Sequence, residues 1–246
     1  VLSLVRFFAG VILIALPWSG LRASDDLTIM TEDFPPFNYV EGNSLKGMGP
    51  EVVRTLMQRL EAERPIKVMG WKHAYDLTLN EPNMVLFSMV RTAEREGSFQ
   101  WVGPILSVRE YFYTSSLYEQ DAITREQAKA VRGILVQDGG AHFQLLSSEG
   151  FTNLLPYSNV DKHLQMLLSG RGTLLLLNDL TVAHQMRHQG LSLDLIKPVL
   201  KLEQSDHYIA FSNGTAPEIV AAWQAELDAM RVDGTLQTIE AEYLTN

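Results

Sequence analysis

The chain has 246 residues, 46% of them apolar and 20% charged, with a formal net charge of −9 and no cysteine. That composition suits one large folded unit or two small lobes and argues against disorder. Phosphate binding needs clustered Lys and Arg, so an acidic chain without a basic run argues against nucleic acid and anionic membranes as partners, and the missing cysteines exclude disulfides, thiolate zinc sites and cysteine nucleophiles.

The first element in chain order is a secretory signal. Arg6 supplies the positive end and Phe7 to Trp18 the apolar run, with cleavage expected near Ala23. The run is short for a span of about 20 residues, so export into the periplasm is the expectation. Short strands and helices then alternate. Leu27 to Thr31 reads as a strand, broken by Phe34-Pro35-Pro36-Phe37. Gly47-Met48-Gly49-Pro50 opens a helix whose buried face is Val52, Val53, Leu56, Met57 and Leu60. Ile66 to Met69 is a strand, Trp71 to Leu79 a helix, and Met84 to Phe87 a strand. Thr92 is an expected N-cap for a short helix with Arg95 in its first turn.

Extended pieces follow from Phe99 to Val102 and from Glu110 to Thr114, the second rich in Tyr and Phe. Tyr118 to Arg132 is a polar connector ending in a short helix. Ile134 to Val136 is a strand that runs into the turn Asp138-Gly139-Gly140, and His142 to Ser147 a helix. Leu154-Leu155 is strand-like, and Asn159 caps a helix with the stripe Val160, Leu164, Leu167 and Leu168. The wholly apolar run Leu174 to Leu177 suits a strand buried on both faces. Asp179 to His188 is a helix and His207 to Ser212 a late strand. Thr215-Ala216-Pro217-Glu218 reads as a capping box before a helix carrying Ile219, Trp223, Leu227 and Met230. Gly234 separates it from a last helix. Strands alternating with helices imply βαβ units and mostly parallel sheets.

The stretch Ser88-Met89-Val90-Arg91-Thr92-Ala93-Glu94-Arg95-Glu96 holds the most chemistry. Two arginines after a buried strand read either as an anion site built from amides and a guanidinium, or as a surface ion cluster with Glu94 and Glu96. The chain resembles the bacterial family 3 extracellular solute-binding proteins, which serve polar amino-acid uptake. The resemblance is carried in order by Thr31-Glu32-Asp33-Phe34-Pro35-Pro36-Phe37 with Gly47-Met48-Gly49-Pro50-Glu51-Val52, by Phe87 to Arg95, by Phe99-Gln100-Trp101-Val102-Gly103-Pro104, and by Tyr208 to Ser212 with Asp233-Gly234-Thr235-Leu236.

The resemblance implies a two-lobed α/β periplasmic-binding fold of type II, each lobe a mostly parallel sheet flanked by helices. Lobe 1 would be 25–112 plus 209–246 and lobe 2 113–208, with hinges near Tyr111 to Thr114 and Tyr208 to Ser212. It implies a monomer that binds a small ligand bearing a carboxylate, an amino acid or a related acid, for an inner-membrane ABC permease. No cofactor, metal or catalysis is implied. Arg95 would pair with the carboxylate, assisted by Ser88 and the Val90 backbone. Phe34 would stack on the ligand, and Trp71 could cover it. From the other lobe come the Gly140 amide and Asn178 or Asp179. Asn178 falls where the family carries an amino-binding Asp, and Gly139-Gly140-Ala141-His142 lacks the hydroxyl expected there. On this reading Arg95 serves binding and matters little for stability.

Two rivals stand beside it. A dehydratase-like enzyme on the same scaffold would need an acid or base among Glu32, Asp33 and His142. A sensor or accessory binding module would use the same cleft without transport. His184 and His188 lie one helical turn apart, but no third ligand is near in sequence, which favours a solvated helix face.

Overall fold

A computed structural model of the protein describes residues 27–159 and 162–244. The expected signal segment lies outside the described residues, as does Val160 of the stripe after Asn159. Two parallel triplets of strands are joined into a single eight-stranded sheet in the order β4-β1-β5-β10-β6-β9-β7-β8. In the first triplet β1 (Thr28–Thr31) lies between β4 (Ile66–Val68) and β5 (Met84–Val90). In the second, β7 (Ile134–Gln137) lies between β8 (Leu154–Tyr157) and β9 (Leu174–Asn178). Between them run two antiparallel strands of 17 residues each, β6 (Phe99–Ser115) and β10 (Ile196–Ser212).

The register of those long strands locates the crossing between the halves. β5 pairs with His207 to Phe211 of β10, while β9 pairs with Glu110 to Tyr113 of β6. The two stretches expected as hinges do not face each other: Tyr111 pairs with Lys201 and Ile209 with Val102. Gln204 to Asp206 pair with Arg109 to Ser107, with register shifts on both sides of them. This short two-stranded ribbon, flanked by bulges, is the narrowest link between the triplets.

The helices follow the expected apolar stripes. α1 (Met48–Arg59) buries Val52, Val53, Leu56 and Met57, and α2 (Trp71–Asn80) buries Trp71, Ala74 and Thr78. α3 (Arg125–Ala130) carries a capping box from Thr124 and Gln127. α4 (Ala141–Ser148) starts at Gly140, and α6 (Asp179–His188) is capped by Asn178. β9 between them is buried at every position, which explains its unbroken Leu run. α7 (Pro217–Val232) puts Trp223 edge-on to Phe211 at 5.3 Å, both fully buried, and α8 (Thr235–Leu244) completes the fold.

Two local expectations fail. Residues 92–95 form a turn, and Arg95 precedes a single 3-10 turn, Glu96–Ser98, so Thr92 caps no helix. Thr215 hydrogen-bonds Ser212 instead of capping α7, whose N-cap is Ala216 with Pro217 supplying the preset backbone angle. α5 (His163–Leu168) carries Leu164, Leu167 and Leu168 of the expected stripe, and the Lys162 amide donates to the Asn159 carbonyl at 3.2 Å. A hairpin of β2 (Tyr39–Glu41) and β3 (Ser44–Lys46) was not foreseen; its residues are half-exposed or exposed and show no apolar alternation.

Candidate functional site

A cavity sits where the C-terminal ends of β1, β5, β7 and β9 converge beside the two long strands. Open α/β sheets present loops and helix starts at that edge and bind ligands there. Glu32, Phe34, Trp71, Ser88, Val90 and Arg95 line it from the first half, and Gln137, Ala141, His142 and Asn178 from the second. Glu110 of β6 and His207 of β10 form its floor. Its volume is about 40 Å³, room for a few waters and for no amino acid.

Arg95 dominates the electrostatics. Its side chain is 1% exposed, and Nη1 donates to the Val90 carbonyl at 3.1 Å. Nε donates to Gln144 Oε1 at 2.8 Å, across the cavity on α4. The guanidinium carbon lies 5.2 Å from the Trp71 ring and 5.1 Å from the Tyr75 ring, a cation between two π faces. Burial lowers its pKa to about 10, with Tyr75 opposing the shift, so it stays charged near neutral pH. Nη2 is buried and makes no hydrogen bond among the described residues. An unmet donor on a buried group costs about 1–3 kcal/mol, more when charged, and a carboxylate is the acceptor that suits it best. Arg91 took the other path offered by the sequence: it forms a surface pair with Glu96 at 2.5 Å and lies over Trp101 and Tyr208.

Ser88 shapes this wall by an unusual backbone. Its φ is 62°, left-handed in a non-glycine residue within a strand, a strained state that clusters at functional sites. Gly49 makes the space: a Cβ there would sit 2.6 Å from Ser88 Oγ.

Three hydrogen bonds cross from one half to the other. Gln137 Nε2 donates to Glu32 Oε2 at 2.6 Å, Trp71 Nε1 to the Gly139 carbonyl at 3.0 Å, and Arg95 Nε to Gln144 as above. Burial pushes the Glu32 carboxyl up to about 8, against the smaller opposing pull of Gln137 and Arg95. Glu32 is therefore mostly neutral at pH 7.

Glu110 behaves in the opposite way. Burial raises its pKa, but His142 and His207 outweigh that and hold it below the ordinary value. His142 Nε2 lies 3.3 Å from Glu110 Oε2 without hydrogen-bond alignment. His207 Nδ1 is 3.0 Å from the Ser88 carbonyl, which can only accept, so Nδ1 carries the proton. Burial lowers the His207 pKa, with the Glu110 charge opposing the shift.

Of the residues singled out from the sequence, Phe34, Trp71, Ser88, Val90, Arg95 and Asn178 meet in this cavity. Two do not. Asp179 turns aside to pair with Arg109 at 2.8 Å, because Asn178 takes the N-cap place and sends the next side chain outward. Gly140 lies behind Gln137, to whose carbonyl its amide donates at 3.1 Å. Of the acid–base candidates, Glu32 and His142 line the cavity, whereas Asp33 lines a neighbouring cleft with Tyr39 and His184. Glu110, Gln137, His207 and Gln144 were not singled out as binding residues. A lone Glu in an aromatic strand was the one signal available for Glu110. Among the described residues no group of three His, Asp or Glu side chains gathers to hold a metal, and no helix is long and apolar enough to cross a membrane.

Residues 27–246 match the sequence pattern of the bacterial extracellular solute-binding proteins, family 3, and the chain belongs to that family. No curated protein matches it. Among solved structures it is similar to a histidine kinase sensor domain that itself resembles periplasmic binding proteins (TM-score 0.80, 16% identity, covering 89% of this chain and 96% of that one). It is also similar to a substrate-binding protein of an ABC uptake transporter from Streptococcus pneumoniae with bound histidine (0.78, 13%, 93% and 96%). A third likeness is to ArtJ from Geobacillus stearothermophilus, an arginine-, lysine- and histidine-binding protein (0.76, 13%, 89% and 96%). At these identities the likeness fixes the fold, which is that of the type II periplasmic binding proteins.

Proposed function

We propose that this family 3 member is a periplasmic solute-binding protein that captures a small carboxylate-bearing ligand, an amino acid or a related acid, for an ABC-type permease. One observation carries the reading: a buried, charged Arg95 with a free Nη2 in the cavity at the seam of two sheet halves. Trp71 and Phe34 add apolar cover, and Ser88 and Asn178 add polar contacts. The signal ending near Ala23 delivers the chain to the periplasm.

The cavity is too small for such a ligand, so binding requires the halves to part. The half built on the first triplet swings against the half built on the second on the ribbon Ser107 to Arg109 with Gln204 to Asp206, so the lobe boundaries move from the expected 112/113 and 208/209 to that ribbon. Opening breaks the three cross-cavity hydrogen bonds, and the ligand replaces them on closure. Only the ligand's extra affinity for the closed form can drive that step.

The test is a thermal-shift screen of amino acids, small dicarboxylates and aromatic acids, since a ligand of the folded state raises the melting temperature. For the best hit, replacing its carboxylate by a carboxamide and replacing Arg95 by Lys should each weaken binding by about tenfold or more, through loss of the charge or of the two-pronged contact. Equal affinity in both comparisons refutes the assignment. Arg95→Ala is a poorer probe than the sequence suggested. The side chain is buried between two rings, so truncation also removes packing.

The likeness to a kinase sensor domain favours a second reading, a sensor that binds the same ligand without transporting it. Uptake of the radiolabelled ligand that survives deletion of the gene supports the sensor; loss of uptake supports transport.

A further inference from the structure

Gln144 contributes no ligand contact in the reading above, yet it grips the group on which that reading turns. It is the half-buried fourth residue of α4, in the second half of the molecule. Its Oε1 accepts from Arg95 Nε, which belongs to the first half, at 2.8 Å. A guanidinium can only donate, so the oxygen of the carboxamide and not its nitrogen must face Arg95.

The donors of that guanidinium are unequally committed. Nη1 donates to the Val90 carbonyl of its own half. Nε and Nη2 form the side-on pair of the fork, which can grip both oxygens of a carboxylate at once. Gln144 holds Nε, whereas Nη2 makes no hydrogen bond among the described residues. A carboxylate therefore finds one prong of this pair open, and the other is released only when Gln144 lets go. The same bond ties the two halves together across a cavity of about 40 Å³. One side chain thus occupies the arginine and helps to keep the cavity shut.

We infer that Gln144 is an internal competitor for Arg95: its carboxamide stands in for the carboxylate of the ligand and latches the halves, so that binding must displace it. The inference rests on Arg95 taking the carboxylate. A hydrogen bond to a charged group is worth about tenfold or more in an equilibrium, and apparent affinity falls with the fraction of molecules able to bind. Removing the competitor therefore tightens binding. Loss of a ligand contact, or of a support that positions Arg95, would weaken it.

The test uses two variants that push in opposite directions. Gln144→Ala removes the competitor, and Gln144→Glu turns it into a carboxylate that grips the guanidinium harder. Small-angle scattering with no ligand added gives the radius of gyration. Titration calorimetry with the twenty standard L-amino acids and the dicarboxylates from oxalate to adipate gives the affinities. Gln144→Ala should have a larger radius than the unaltered protein and bind the tightest panel member about tenfold more tightly. Gln144→Glu should keep the compact radius and bind the same compound at least about tenfold more weakly. Unchanged or weaker binding by Gln144→Ala, or unchanged or tighter binding by Gln144→Glu, overturns the inference. Where no panel member binds the unaltered protein, the radius decides: an increase in Gln144→Ala alone supports the competitor, and any other pattern overturns it. The carboxamide of the tightest binder keeps the two readings apart. A carboxamide that binds the unaltered protein as well as the acid overturns the Arg95 assignment, whereas a rejected carboxamide with the wrong direction in the Gln144 variants overturns the competitor alone. If Gln144→Ala does not fold by circular dichroism, Gln144→Glu decides.

Discussion

Replacing Glu32 by Gln should stabilise the protein, and by an amount that grows with pH. In the unfolded chain Glu32 releases its proton near the ordinary value of 4.5, whereas in the cavity burial holds it until about 8. Below pH 4.5 both states carry the proton and burial adds no pH-dependent penalty. Between the two values only the folded state keeps it, so stability falls by about 1.36 kcal/mol per pH unit as pH rises. The deficit is about 3 kcal/mol at pH 7 and levels off above pH 8. Gln is a neutral isostere whose carbonyl can still accept from Gln137 Nε2, so the variant should lack this slope. For a chain of this size 1 kcal/mol corresponds to about 2–4 °C. The melting temperatures should thus agree near pH 4.5 and diverge by roughly 6–12 °C at pH 7. If the lobes part before the chain unfolds, Glu32 becomes hydrated by opening. The divergence is then capped by the cost of opening, and the radius of gyration of the parent, but not of the variant, rises with pH. Differential scanning fluorimetry and small-angle scattering from pH 4.5 to 9 measure both effects. Other titrating groups such as His207 and Glu110 are shared and cancel in the difference. Parallel melting curves, or a less stable Glu32→Gln, would refute the reasoning.

Two further outcomes follow from the same geometry. Trp71→Phe removes the donor to the Gly139 carbonyl and keeps an aromatic face against Arg95. It should cost about 1 kcal/mol and enlarge the radius of gyration of the ligand-free protein, and an unchanged radius would mean this bond does not hold the halves together. Gly49→Ala drives a methyl group into Ser88 Oγ and the Phe87 ring. Overpacking of this kind costs about 1–3 kcal/mol, read as a lower melting temperature. Because the clash reaches Ser88, affinity for the thermal-shift hit should fall as well.

Much of the fold was readable locally. Apolar spacing marks α1 and α7, a run of leucines marks the doubly buried β9, and Asn178 before Asp179 marks the start of α6. These are properties of neighbours in sequence, decided by side-chain period and by which backbone groups a nearby oxygen can reach. Much of the cavity lining was legible too, because Ser88 and Asn178 lie in the last residues of strands and Phe34 and Arg95 in the segments that follow strands, and such ends collect at one edge of an α/β sheet. The full length of the two 17-residue strands was hidden, because Gly103-Pro104 and the polar stretch Lys201 to Asp206 interrupt their apolar pattern. Glu110 shows most clearly where local reading stops. Its place in the cavity depends on lying opposite Asn178 and near His207. Pairing register and bulges set those placements, and they arise from contacts between segments some 70 to 100 residues apart, which no local pattern encodes.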